Sequence, residues 1–433
     1  MMNEYIKPKK SIDIISCFWI IAYNILMLFY QKISVIIILI IGISFTTWFI
    51  YKQLKEWNIY QVLSFLLIIY IPTSFVSIIG TTYGSLPFTW FNFILIILFL
   101  MALFKGFHLN YFFFSLILMM IFGLLSLPKS IDILDSLKQL LTIMLFLLSF
   151  IVGEFLRKYT NKEYIVKLKS FYFLSVISFS LVVIIQKICS NVNIVVGYQN
   201  ILGIGRTVYG GLMNDYSFAT LYIATGAILL VIDYFNRTGL NILYFIFIES
   251  LFVIAMLIVN SRTGLVAFAF TSVLYLVIKI AKGSLKSIFI FILLLIPIPS
   301  VFSYINESRG GQSLLDSSGR VELFYSAFTV FFEHPFIGVG FGLKNLYALT
   351  GMYVPHNLIA QYLAQFGLVG STIFFSTIVF FSSKYLSFQS QYTWVLFTTL
   401  VGSMFIPDIV SSRFLSVLII ITIISSTKNK QTT

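Results

Sequence analysis

The chain reads as an all-α membrane protein, a polytopic helical bundle of about 12–14 spans, and three observations carry that reading. Of 433 residues, 59% are hydrophobic and 10% charged, with mean hydropathy +0.99. A soluble domain carries about 25% charged residues. Apolar runs long enough to cross a bilayer as helices recur along the whole chain. No polar stretch is long enough to build a second core, so residues 1–433 are expected to form a single integral membrane domain.

A basic tail with Lys7, Lys9 and Lys10 comes first. Spans then fall at 12–30, 33–51, 59–79, 86–104, 109–127, 137–153, 168–189, 213–232, 240–259, 263–280, 285–303, 356–381, 391–407 and 413–427. The very short turns at Gln31-Lys32 and Pro407-Asp408 leave twelve or thirteen spans open. No small-residue cleavage site follows the first apolar run, so no cleaved signal is expected.

With the N-terminus placed in the cytoplasm, the alternation puts 18 of the 28 basic residues inside and 10 outside. That bias fits the positive-inside rule and accounts for the net charge of +13 without a nucleic-acid partner. The C-terminus then also lies inside. The only cysteines, Cys17 and Cys189, sit in or at the end of apolar runs; neither a disulfide nor a metal cluster is expected from them.

The same topology puts the one long polar interval, 304–355, outside the membrane, which excludes cytoplasmic nucleotide-sugar chemistry for it. It also puts five of the seven arginines outside: Arg206, Arg262, Arg309, Arg320 and Arg413. Topology accepts lysine equally well, so a planar fork that grips phosphate is one reason for arginine. Surface pairing with Glu307, Asp316 or Glu322 is the other.

Three outer turns gather the chemistry. In the first, Gly203, Gly205, Gly210 and Gly211 surround Arg206, and Asn214 and Asp215 open the next span as caps. Glycines permit close backbone approach to an anion, or simply a flexible connector. The second is Asn260-Ser261-Arg262-Thr263-Gly264, a hairpin with an arginine at the membrane boundary, functional or a snorkelling anchor. The third begins at Ser317-Ser318-Gly319. An amphipathic helix follows, with Leu323, Phe324, Ala327, Phe328, Phe331 and Phe332 on its apolar face and Arg320 in its first turn. Pro335 stops it, and Gly338-Val339-Gly340-Phe341-Gly342 turns the chain toward Pro355-His356-Asn357.

His356 is expected in the first turn of a span, where the helix dipole favours the neutral imidazole, able to take a proton from a hydroxyl. A capping histidine is the alternative. His334, beside Pro335, reads as structural. Asp132 and Asp135 are spaced to hold a divalent cation or to form a solvated turn. Glu249, inside a span, must face protein or water.

These turns together resemble the bacterial O-antigen ligase and polymerase superfamily. The resemblance rests on Arg206 with its following glycines and Asn214, on Ser261-Arg262-Thr263-Gly264, on Gly319-Arg320, on Glu333-His334-Pro335-Phe336-Ile337-Gly338-Val339-Gly340-Phe341-Gly342 and on His356-Asn357. It covers roughly 200–370; before that the likeness is only of apolar spans. It implies a GT-C-like, metal-independent, inverting glycosyltransferase of the plasma membrane, with no cofactor. Its substrates would be lipid-linked oligosaccharides, donor and acceptor, and its partners flippase and chain-length regulator proteins. Arg206, Arg262 and Arg320 would hold an undecaprenyl pyrophosphate, and His356 would be the catalytic base, with Asn357 and Asn214 auxiliary. Arg309 and Arg413 have no counterpart in the pattern and remain auxiliary candidates.

Polymerisation of repeat units, as in O-antigen, capsule or exopolysaccharide synthesis, is the leading expectation. Ligation of a glycan to a lipid or protein acceptor keeps the same chemistry. A flippase or transporter would carry charges near the bilayer midplane, whereas here they cluster at one face. If the guanidinium fork matters, Arg262→Lys lowers glycan transfer on the order of 10²-fold although the charge is kept. Turnover of purified Arg262→Lys on a lipid-linked oligosaccharide checks this, and wild-type rates would remove the bidentate argument.

Overall fold

Helix starts are written into the sequence by short polar residues set before apolar runs. Asn58, Thr89, Asn110, Asn161 and Asn241 each accept a bond from a backbone N–H of the first turn they precede, which satisfies donors that a helix leaves open. Asn58 and Gln61 complete a reciprocal capping box.

The computed structural model describes residues 12–78, 88–105, 109–202, 206–236, 241–295, 303, 320–351, 355–406 and 408–426. The helices are α1 (Ile14–Met27), α2 (Val35–Gln53), α3 (Ile59–Ile69), α4 (Trp90–Phe104), α5 (Tyr111–Ser126), α6 (Ile133–Arg157), α7 (Lys162–Asn191), α8 (Tyr216–Asn236), α9 (Ile242–Val259), α10 (Arg262–Ala281), α11 (Leu285–Leu295), α12 (Arg320–Glu333), α13 (Leu343–Thr350), α14 (Leu358–Tyr385), α15 (Gln391–Ser403) and α16 (Arg413–Ser425). Each of the fourteen expected spans overlaps one of them. Among the described residues, eight are long and apolar enough to cross a membrane. The protein is a polytopic helical membrane protein.

α8 is the centre. Its span is 94% buried, against 22% for α2, whose Ile36, Ile37, Ile40 and Ile43 face outward. Packed around α8 are α7, α9, α10 and α15. A second layer sets α6 against α4, α5 and α16. At the end of the bundle away from Arg262, Lys169 pairs with Asp233 and donates to Gln391, 3.0 Å away, tying α7 to α8 and α15.

Four local expectations change. The span expected at 59–79 is helical only to Ile69; Pro72 cannot continue the ladder, and buried turns follow, with bonds from Ser74 to Ile71 and Val76 to Thr73. An antiparallel hairpin, β1 (Tyr198–Leu202) with β2 (Arg206–Gly211), stands where a glycine loop was expected. Buried Gln186 fastens it, donating to the carbonyls of Val196 and Tyr198 and accepting from the Gly211 N–H. On α12, the buried stripe is Ala327 and Val330, packed on Leu346 of α13 and on Ala360 and Ala364 of α14, while Phe332 is exposed.

The fourth change concerns residues 335–342. The expected turn is there and exposes Phe336 and Ile337, but its end goes inward: Gly340, Phe341 and Gly342 are buried inside the bundle. α14 breaks at Gly367, where φ is 58° and ψ −161°. The segment fills that break by backbone bonding. Leu368 and Val369 donate to the carbonyls of Pro335 and Phe336, at 2.7 and 3.0 Å, and Val339 and Gly340 donate to those of Ala364 and Gln365, at 3.1 and 2.8 Å. The two chains touch so closely that a Cβ on Gly338 would lie 2.4 Å from the Gln365 oxygen, and one on Gly367 2.5 Å from Phe336. A broken helix in a membrane needs its freed groups bonded within the protein, and this segment bonds them.

In an ordinary helix interior, alanine is favoured over glycine by about 1 kcal/mol. At Gly367 the sign reverses, because a left-handed backbone and a direct overlap both resist a side chain. Gly367→Ala is expected to destabilise by about 1–3 kcal/mol or more, read as a lowered thermal midpoint in detergent.

Candidate functional site

α9 ends at Asn260, left-handed with φ 62°, whose N–H bonds back to the carbonyls of Met256 and Leu257. Two residues later Arg262, half-buried, opens α10. Gly264 serves packing here: a Cβ on it would sit 2.3 Å from the Thr220 backbone, so glycine lets α10 lie against α8. Ser261 makes no side-chain cap bond to α10.

Arg206, at the head of β2, reaches this corner. Its Nη2 donates to the Asn260 carbonyl, and its guanidinium lies over the Tyr216 ring at 6.0 Å. The Asn260 amide donates back to the Thr207 carbonyl at 3.4 Å. Two arginines remote in sequence thus share one corner with a helix N-terminus, where backbone N–H groups and the macrodipole favour an anion. Gly203 and Gly205 lie outside the described residues.

Only one of the two expected caps before α8 is a cap. Asp215 accepts from the N–H groups of Ser217 and Phe218 at 2.6 and 3.1 Å, while burial pushes its carboxyl above the usual range. Asn214 lies just outside, its side-chain oxygen buried without a hydrogen-bond partner among the described residues.

The other corner is Pro355-His356-Asn357. Asn357 is the cap of α14, accepting from the N–H groups of Ile359 and Ala360 at 3.1 and 3.0 Å. His356 therefore precedes the helix rather than forming part of its first turn. It is half-buried and held at φ 41°, a left-handed conformation uncommon for a side-chain-bearing residue. The Asn357 amide contacts Met404 Sδ at 3.9 Å, joining this corner to the end of α15.

Beside it lies a group that the sequence reading passed over. Asp408, left-handed with φ 49°, accepts a hydrogen bond from Tyr362 Oη at 3.1 Å. Burial drives its carboxyl up to about 7, against the opposing pull of the Tyr362 hydrogen bond and the Arg413 charge. Arg413, 6% exposed, opens α16. An acid five residues before an arginine, between two apolar runs, was the available signal.

Arg320 is the first residue of α12. Arg309, Glu307, Asp316 and Gly319 lie outside the described residues, as do His108 and the rest of 304–319. His334 is exposed at the end of α12. Asp132 and Asp135 are engaged with protein: Asp132 pairs with Lys344 at 2.6 Å, and Asp135 accepts from the Lys344 N–H at 3.1 Å, seating the first turn of α13. Glu249 is 5% exposed, and its carboxylate has no hydrogen-bond partner among the described residues.

Residues 245–375 match the family described as O-antigen ligase. The matched stretch contains the Asn260–Gly264 corner, the Gly338–Gly367 contact and His356. Arg206, Asp408 and Arg413 fall outside it. No curated protein matches the chain.

Asp408 has a raised folded-state pKa, so its stabilising contribution is full below about pH 4 and is lost as pH rises through about 7. Thermal midpoints measured across pH 4–8 should fall for the wild type and change less for Asp408→Asn. Parallel profiles would show that Asp408 does not titrate there.

Proposed function

From the O-antigen ligase region as premise, we propose that the protein is a polysaccharide polymerase. It joins oligosaccharide repeat units carried on a polyprenyl pyrophosphate, on the outer side of the plasma membrane. The observation that carries this reading is the shared corner of Arg206 and Arg262 at the start of α10, which suits a lipid-borne pyrophosphate at a membrane boundary.

The donor sugar is bound through its anomeric carbon to the pyrophosphate. The hydroxyl oxygen of the acceptor sugar forms the new bond to that carbon, and the carbon–oxygen bond to pyrophosphate breaks. The leaving group takes the electron pair, and Arg206 and Arg262, with Arg320, stabilise its charge. His356 takes the proton from the attacking hydroxyl. Asp408 and Arg413 supply opposed charges beside that corner. One helical turn of α14 separates Asn357 from Gln361, which touches Asp408. Asp408 belongs to the site on that adjacency.

The family description itself favours a second reading, in which the glycan goes to a lipid or protein acceptor. One strain separates the two. With His356→Ala, transfer falls by about 10²–10⁴-fold; a polymerase then leaves cells with single repeat units and no long chains. A ligase leaves full-length chains on the lipid carrier. Normal long chains at normal abundance would mean that His356 is not the base, and repeat units trapped in the cytoplasm would favour a transporter.

A further inference from the structure

Three glutamines cross the bundle in a row and are buried. Gln361 and Gln365 lie one turn apart on α14 and are fully buried, and Gln139 on α6 is 7% exposed. A span interior is a costly place for primary amides unless every donor and acceptor is matched. Here every amide nitrogen and oxygen of the three has a partner, and in one direction only.

The direction is set at both ends by backbone groups whose polarity is fixed. At one end stands Gly342, the last residue of the 335–342 segment and itself buried. Its N–H donates to Gln139 Oε1, and its carbonyl accepts from Gln365 Nε2 at 3.1 Å. Those two bonds orient both amides. Gln139 and Gln365 then pair reciprocally, at 3.0 and 3.2 Å. Gln365 can offer only its oxygen to Gln361, whose Nε2 donates to it at 3.2 Å. Gln361 is left with its oxygen pointing onward, and that oxygen accepts the Asp408 N–H at 3.1 Å. At this far end, Asp408 holds a left-handed conformation that side-chain-bearing residues rarely adopt.

We propose that Gln361 is a positioning residue for glycan transfer, the last link of a directed amide relay through which the seating of Gly342 sets the conformation of Asp408. This rests on the reading of Asp408 as part of the site. When Gly342 is seated, each amide has one allowed orientation and the Asp408 turn is held. When it is not, the amides can invert, and Gln361 then turns a second donor toward the Asp408 N–H, which releases the turn. The 335–342 segment thereby acts on the site through its buried end, Gly340 to Gly342.

The test uses full-length protein in nanodiscs and a lipid-pyrophosphate oligosaccharide, with rates followed from pH 5.5 to 9. Gln361→Met keeps the shape and removes both bonds. Its kcat is expected to fall about 10- to 100-fold, as for a misplaced catalytic group, with KM little changed. It should also shift the limb of the pH profile that Asp408→Asn abolishes, and the double variant should be no slower than Asp408→Asn alone. Gln361→Glu supplies a second readout and a safeguard against misfolding. A protonated carboxyl has one acceptor and one donor, as the relay requires, so this variant should approach wild-type rates at low pH and lose them as the carboxyl ionises, when the donor to Gln365 is gone and two acceptors face each other. The relay is overturned if Gln361→Met leaves the pH limb in place, if its loss multiplies with that of Asp408→Asn, or if Gln361→Glu shows no acid rescue. If instead Asp408→Asn keeps the wild-type rate and pH profile, the assignment of Asp408 to the site falls, and the relay with it.

Discussion

The backbone contact between Gly338 and Gly367 is the constraint on which the site end of the bundle depends. α14 cannot be continuous there, because the left-handed conformation at Gly367 interrupts its ladder. Nor can the break stand open in a membrane protein, where each unbonded backbone group costs several kcal/mol. The 335–342 segment supplies the missing partners at a distance that only two glycines allow. Its position then fixes its neighbours. α12 rests on the first turns of α14 through Ala327 and Val330, and α13 begins just after Gly342 with its first turn held by Asp132 and Asp135.

The two candidate corners are tied into this framework by different means. The arginine corner depends on small residues and a left-handed asparagine: Gly264 admits α10 to α8, and Asn260 turns the chain and binds Arg206 through its carbonyl. The histidine corner depends on capping, with Asn357 closing α14 and leaving His356 just outside it. Residues that look like ligand-binding motif in the sequence therefore divide in two. Asn260, Gly264 and Asn357 have structural work that accounts for them, while Arg206, Arg262 and His356 sit at the corners those residues build.

Much of the fold was legible. The apolar runs marked where the helices lie, because bilayer thickness fixes helix length. The exceptions have local causes. Pro72 cut α3 short. The hairpin around Arg206 was hidden because its register is set by Gln186, a residue far from it in the helix pattern. The apolar face of α12 was misjudged at Phe332, since alternate faces of a short helix are both apolar and only the small Ala360 and Ala364 beneath select Ala327 and Val330. The engagement of Asp132 and Asp135 with protein was hidden because their partner, Lys344, lies more than 200 residues away.

By itself the sequence determined that this is a membrane-spanning bundle, because hydropathy and helix length are properties of neighbouring residues. Tertiary structure alone decided which polar residues meet. Arg206 joins Asn260, Gly342 engages Gln139 and Gln365, and Gln361 reaches Asp408. Those meetings depend on how close two helices can approach and which way a buried amide must face, and both are settled only when distant segments pack.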